Sequence, residues 1–216
     1  MKIYKIGIIG CGGIAQKMAA TLEKMKGVER YAVASRNQEK AEAFANKWGF
    51  TKAYGSYEEL ASDPEVDLIY IATPHAMHYD NAHMCIEKGK PVLCEKAFTA
   101  NARQAEDLLA FAKEKGVFIT EAIWTRYMPL SLKIQELLKE GVIGTPYTLS
   151  ANLSYPISNK ERIIRPELAG GALLDIGVYT LNFAAMAFGS DIAETHSVCQ
   201  KTQNGSRRAR KYNTLL

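Results

Sequence analysis

Apolar and polar positions along the first 121 residues switch between two periods. Residues 3–9 form a short isoleucine-rich run that reads as a buried strand, and 29–35, 67–72, 90–94 and 117–120 read as further strands. Between them the spacing turns helical: a stretch from Ile14 to about Lys26, amphipathic segments over 37–48 and 76–88, and an alanine-rich one over 100–115. Strands alternating with helices of this length predict right-handed crossovers and a parallel sheet covered on both faces, a doubly wound α/β fold.

After Glu121 the pattern changes. A helix is expected from Leu130 to Glu140, stopped by Gly141 and Gly144. Residues 146–155 alternate and predict a longer, half-exposed strand. A helix follows from about Ala172 to Phe188, then a strand over 194–203. One helix between two long strands is too little for an independent domain, because it leaves sheet edges exposed. The division expected is a dinucleotide-binding domain over 1–121 and an incomplete α+β domain over 122–216, with an atypical basic tail from about 204.

Composition fits a folded chain, at 47% hydrophobic and 23% charged. No uncharged apolar run approaches the ~20 residues of a membrane span, so no membrane partner is expected. The start lacks a signal peptide's apolar stretch, which predicts a cytoplasmic protein. The net charge of +4 is local to the end of the chain. Residues 201–216 carry five cations and no acid, leaving the first 200 residues at −1. Charge therefore gives the body no support for nucleic-acid binding. Such a basic end reads as solvated and disordered. Four scattered cysteines (Cys11, Cys85, Cys94, Cys199) indicate neither a disulfide framework nor a zinc site, and no metal is expected.

Candidate chemistry begins at Gly10-Cys11-Gly12-Gly13-Ile14-Ala15, a G-x-G-x-x-A turn between a strand and a helix. Gly10 permits the tight turn, Gly12 lets the backbone approach a pyrophosphate, and Ala15 allows close helix–strand packing. The helix N-terminus offers N–H groups and positive partial charge to phosphates. A glycine-rich turn without a ligand is the competing reading. An NAD site places an acid at the end of the second strand, where this chain has Ser35 and Arg36. Ser35 and Arg36 suit a 2′-phosphate, which favours NADP(H), with NAD(H) second; otherwise Arg36 merely solvates a helix start. Thr73, Pro74, His75 and His78 follow the 67–72 strand where α/β sheets bind ligands, and capping and cofactor contact are expected of them. Glu95 and Lys96 end the 90–94 strand, either as an exposed ion pair or with Lys96 orienting a substrate hydroxyl.

These motifs, with Asp175-x-Gly177-x-Tyr179, occur in an order that resembles the glucose–fructose oxidoreductase/inositol dehydrogenase family (Gfo/Idh/MocA) over about residues 3–200. The segment from Glu121 through Trp124 and Arg126 to Pro129 is similar to its branch of dimeric dihydrodiol dehydrogenases and NADP-dependent D-xylose dehydrogenases. The resemblance implies a nicotinamide-dependent dehydrogenase acting on a sugar or related cyclic alcohol. It implies that Tyr179 exchanges the hydroxyl proton, with Lys96 favouring its phenolate and Asp175 orienting substrate or Lys96. Asp175 and Tyr179, four apart on a helix, would share a face. Trp124 and Arg126 would line the cofactor and substrate cleft. Without the family pattern, Tyr179 reads as a core aromatic.

Two departures stand out. Ala97 replaces the motif's proline, so Lys96 is expected to point somewhat differently. Only 95 residues follow Glu121, a fraction of the family's dimer-forming sheet domain, and residues 206–211 match nothing in the family pattern. The expectation is a premature end, the last residues being read in a shifted frame. An active NADP-dependent oxidoreductase is thus set against a nucleotide-binding remnant without turnover. A protein binding through its basic tail is the weakest alternative.

Overall fold

The computed structural model describes residues 2–157, 159–201 and 207–215. It divides into two units, Met1–Ala122 and Ile123–Leu216.

The first unit is built on β1 (Tyr4–Ile9), β2 (Val28–Ala34), β3 (Lys52–Tyr54), β4 (Leu68–Ile71), β5 (Val92–Glu95) and β6 (Ile119–Ala122). They form one parallel sheet in the order β3-β2-β1-β4-β5-β6. Side chains alternate across it. Ile6, Ile8, Val33 and Tyr70 enter one core layer, with Phe44 and Ala19 from helices; Ile9, Ala34, Ile69 and Ile71 enter the other, with Leu108 and Ile86. A sheet buried on both faces needs the near-continuous apolar runs seen in the sequence.

Helices α1 (Gly13–Leu22), α2 (Gln38–Trp48), α3 (Tyr57–Ser62), α4 (His78–Glu87) and α5 (Ala102–Lys115) connect the strands. Their starts are written locally. Asn37 caps α2 by accepting the Lys40 N–H at 2.8 Å, and Asn101 caps α5 through the Gln104 N–H at 3.0 Å. Ser56 and Glu59 form a reciprocal capping box on α3. The order reverses between β1 and β4, so their carboxyl ends open a crevice where ligands of such sheets bind.

The second unit holds α6 (Pro129–Lys139), α7 (Glu161–Ile164), a π-helical turn at Leu173–Gly177 and α8 (Val178–Phe188). Strand β7 (Glu194–Lys201) pairs antiparallel with β8 (Arg207–Leu215). Two expectations are corrected here. Residues 146–155 are not a strand. A strand needs neighbours for its backbone groups, and among the described residues of this unit only β7 and β8 pair. The basic end, read as a disordered tail, instead supplies β8. One helical run, Pro166–Phe188, is long and apolar enough to cross a membrane by length and composition, although it carries the ion-paired Asp175.

Candidate nucleotide and active site

The turn after β1 has the geometry a pyrophosphate requires. Gly10 takes φ +99°, and a Cβ there would lie 2.9 Å from the Ala72 carbonyl oxygen, so β1 and β4 approach through the missing side chain. A Cβ on Gly12 or Gly13 would meet nothing within 4 Å. That space lies at the start of α1, where no side chain caps Gly12 and no acid occupies the first turn. Free space, helical N–H groups and absent negative charge suit an anionic dinucleotide. Ile14 is exposed on the first turn, whereas Ala15 is fully buried against the sheet. Ala15 therefore acts through packing.

At the end of β2, Ser35 is buried and its hydroxyl accepts the Asn37 N–H at 3.4 Å. Arg36 is exposed beside Tyr57, whose phenol is pushed up by burial and pulled back by the guanidinium. No acid stands at this strand end to hold ribose hydroxyls. The site fits a 2′-phosphate better than a free ribose.

The segment after β4 departs from expectation. His78 is fully buried, with Nδ1 2.8 Å from the Ala97 carbonyl oxygen and Nε2 2.8 Å from that of Thr73. A ring enclosed in this way has no nitrogen left for a cofactor, which corrects the contact expected of it. Burial pushes its pKa down, against the pull of the carbonyls. His75 is also buried, packed edge to face with His78 at 5.7 Å. Thr73 is held a second way, since Asn81 Nδ2 donates to its hydroxyl at 3.1 Å.

Glu95 is buried, not half of an exposed ion pair. The Tyr70 hydroxyl donates to one carboxylate oxygen, and the Lys96 N–H donates to the other at 3.1 Å. Burial pushes the Glu95 carboxyl up, opposed by those hydrogen bonds and the Lys96 charge. The following loop is fixed through Phe98, whose N–H donates to Glu121 at 2.9 Å. The Lys96–Ala97 bond is cis, the conformation considered for the proline that Ala97 replaces.

In the second unit, Trp124 Nε1 donates to the Tyr179 hydroxyl at 3.1 Å, and Arg126 donates to the Asn182 side chain. Trp124, Arg126 and Tyr179 line a groove of about 440 Å³, with Leu153, Phe183 and Met186. Asp175 is buried in the π-helical turn and paired with Arg162. The spacing read Asp175 and Tyr179 as one functional face; the structure bonds Asp175 to Arg162 and Tyr179 to Trp124. Arg162 was not singled out in the sequence, where it lies in a mixed-charge stretch. Tyr70 was hidden as one more apolar strand position.

Strand order, glycine turn and crevice define a dinucleotide-binding α/β domain joined to an α+β unit. The family model for "Oxidoreductase family, NAD-binding Rossmann fold" matches residues 4–122, and that for the "GFO/IDH/MocA C-terminal domain" matches 131–214. The chain belongs to the Gfo/Idh/MocA oxidoreductase family. The second match covers the 206–211 segment that the sequence pattern had set outside the family. The chain is 44% identical to a D-xylose 1-dehydrogenase (NADP(+)) of Hypocrea jecorina, over 83% of this chain and 51% of that protein. It is 40% identical to a trans-1,2-dihydrobenzene-1,2-diol dehydrogenase of Xenopus tropicalis, over 88% of this chain and 58% of that one. It therefore spans little more than half the length of these relatives. A solved 3-ketoreductase of Actinomadura kijaniata, in complex with NADP and TDP-benzene, superposes with a TM-score of 0.83 at 28% identity. That match covers 99% of this chain and 70% of the other.

Proposed function

We propose that this chain binds NADP(H) and belongs to an oxidoreductase that moves hydride between the cofactor and a carbon bearing a hydroxyl on a sugar or related cyclic alcohol. The observation carrying this reading is the β1–α1 turn, open at Gly12, together with the acid-free Ser35-Arg36 end of β2. The two curated relatives, a xylose and a dihydrodiol dehydrogenase, support the substrate class.

The nicotinamide, when bound, supplies the hydride acceptor or donor. The residues of this chain do the rest. First-turn N–H groups of α1 bind the pyrophosphate, and Ser35 and Arg36 bind the 2′-phosphate. Tyr179 exchanges the substrate hydroxyl proton at its phenolic oxygen, with Trp124 holding that oxygen in place. Asp175, paired with Arg162, holds the turn that leads into α8 and Tyr179.

Titration of NADPH and NADH, followed by assays of pentoses, hexoses, inositols and trans-dihydrodiols with NADP, tests the reading. Tight NADPH binding with turnover of one class supports it. Binding without turnover favours the remnant, and no binding of either cofactor overturns the reading.

A further inference from the structure

Three neighbouring strands end together at the carboxyl edge of the sheet, and their backbones are joined there. The Gly10 N–H donates to the Ala34 carbonyl at 2.9 Å, tying β1 to β2, and the Ser35 N–H donates to the Tyr54 carbonyl at 3.1 Å, tying β2 to β3. A side chain adds a further tie. Gln38, at the start of α2, donates from Nε2 to the Ala53 carbonyl at 3.3 Å, and a Cβ on Gly55 would lie 2.9 Å from its Oε1. Residues 35–38 and 53–55 are therefore held against each other. The side chains of Arg36 and Tyr57 are carried by this joined edge.

Tyr57 opens α3, whose start is fixed by the Ser56–Glu59 capping box. Its half-buried ring packs on the core, and its phenol stands beside the Arg36 guanidinium, with the Cys11 thiol of the glycine turn within electrostatic reach. Arg36 itself is exposed. Fixing an exposed arginine in one rotamer costs side-chain entropy, and a cofactor phosphate that must order it binds more weakly for that reason. A phenolic oxygen anchored by the core is an acceptor that orders the guanidinium before the phosphate arrives. We propose that Tyr57 is a positioning residue: its hydroxyl holds the Arg36 guanidinium at the end of β2 and so widens the preference of the chain for NADPH over NADH. The ring packs whichever cofactor binds. The hydroxyl matters only to the cofactor that carries a 2′-phosphate.

This inference rests on the cofactor reading above, and the test separates the two. NADPH and NADH Kd values are measured by fluorescence titration on the full chain, unaltered and as Y57F, R36A and R36A/Y57F. Y57F keeps the ring that packs on the core and removes the hydroxyl alone. It is expected to raise the NADPH Kd about 3- to 10-fold and to leave that of NADH within about 2-fold. Added to R36A, the same change is expected to move the NADPH Kd by less than about 2-fold, because the group it positions is gone. Unchanged NADPH affinity in Y57F overturns the inference, and so does equal weakening of both cofactors. An effect of Y57F as large in R36A as in the unaltered chain also overturns it, since Tyr57 would then act without Arg36. In each of these cases the unaltered chain still binds NADPH, and the cofactor reading stands. No NADPH binding by the unaltered chain overturns the cofactor reading and the inference together.

Discussion

Trp124 Nε1 donates a hydrogen bond to the Tyr179 hydroxyl at 3.1 Å, and the rings meet edge to face with centroids 6.0 Å apart. The contact occupies an acceptor site on the phenolic oxygen. It also fixes where that oxygen stands along the groove wall.

Y179F should therefore lower kcat by about 100-fold or more, the range of a lost proton-transfer group, with NADPH affinity unchanged. W124F removes the donor but keeps an aromatic ring, and about a 10-fold fall in kcat is expected. Steady-state kinetics beside NADPH titration reads both. Loss of NADPH binding in Y179F, or full turnover by it, would reject the role given to the phenol.

Arg36 governs cofactor choice in the proposed reading, since it is a cation at the end of β2 where an acid would hold ribose hydroxyls. Replacing it with alanine should raise the NADPH Kd about 10- to 100-fold, the worth of one charge-assisted contact, and leave NADH almost unaffected. Equal weakening of both cofactors would show that Arg36 only supports the helix start.

The cofactor half of the molecule was legible because its signals are local. A glycine turn flanked by a strand and a helix, runs of isoleucine and alternating amphipathic segments each follow from nearby residues. β3 escaped notice because three residues carry too little periodicity, although the Ser56–Glu59 box marking the next helix was readable. The second unit was less legible. Residues 146–155 alternate like a strand, but alternation cannot supply the neighbour a strand must bond. His78 and Arg162 were beyond local reading for the same reason. Their partners, Ala97 and Asp175, lie 19 and 13 residues away, and only folding brings them together.

The Arg162–Asp175 pair makes a stability prediction for the second unit. Asp175 is only 3% exposed, and Arg162 reaches it from the neighbouring short helix. R162M leaves a buried carboxylate with one fewer donor and should destabilise this unit by about 1–3 kcal/mol. R162M/D175N, which removes the charge as well, should recover part of the loss. Urea melts followed by tryptophan fluorescence would report it, and a double variant no better than R162M would show that the charge is not what costs stability.

Asp63 is expected to contribute to the acid response of the first unit. Its carboxylate accepts from the Tyr54 hydroxyl at 2.6 Å, from Lys52 Nζ at 2.9 Å and from the Glu65 N–H at 2.9 Å. Burial alone would raise its pKa, but these donors and the Lys52 charge outweigh it and hold the carboxyl well below its ordinary value of 3.8. A carboxylate lowered on folding stabilises the native state at every pH above that ordinary value. Its contribution fades as pH falls from there toward the lowered folded value, because the unfolded chain takes up the proton first. D63N should therefore lose about 1–3 kcal/mol at pH 7 and progressively less as pH falls below 3.8. Its stability curve should run flatter than that of the unaltered chain across the acid range. Chemical melts at pH 5, 3 and 2 would measure this, and parallel curves for the two proteins across that range would assign the acid response to other carboxylates.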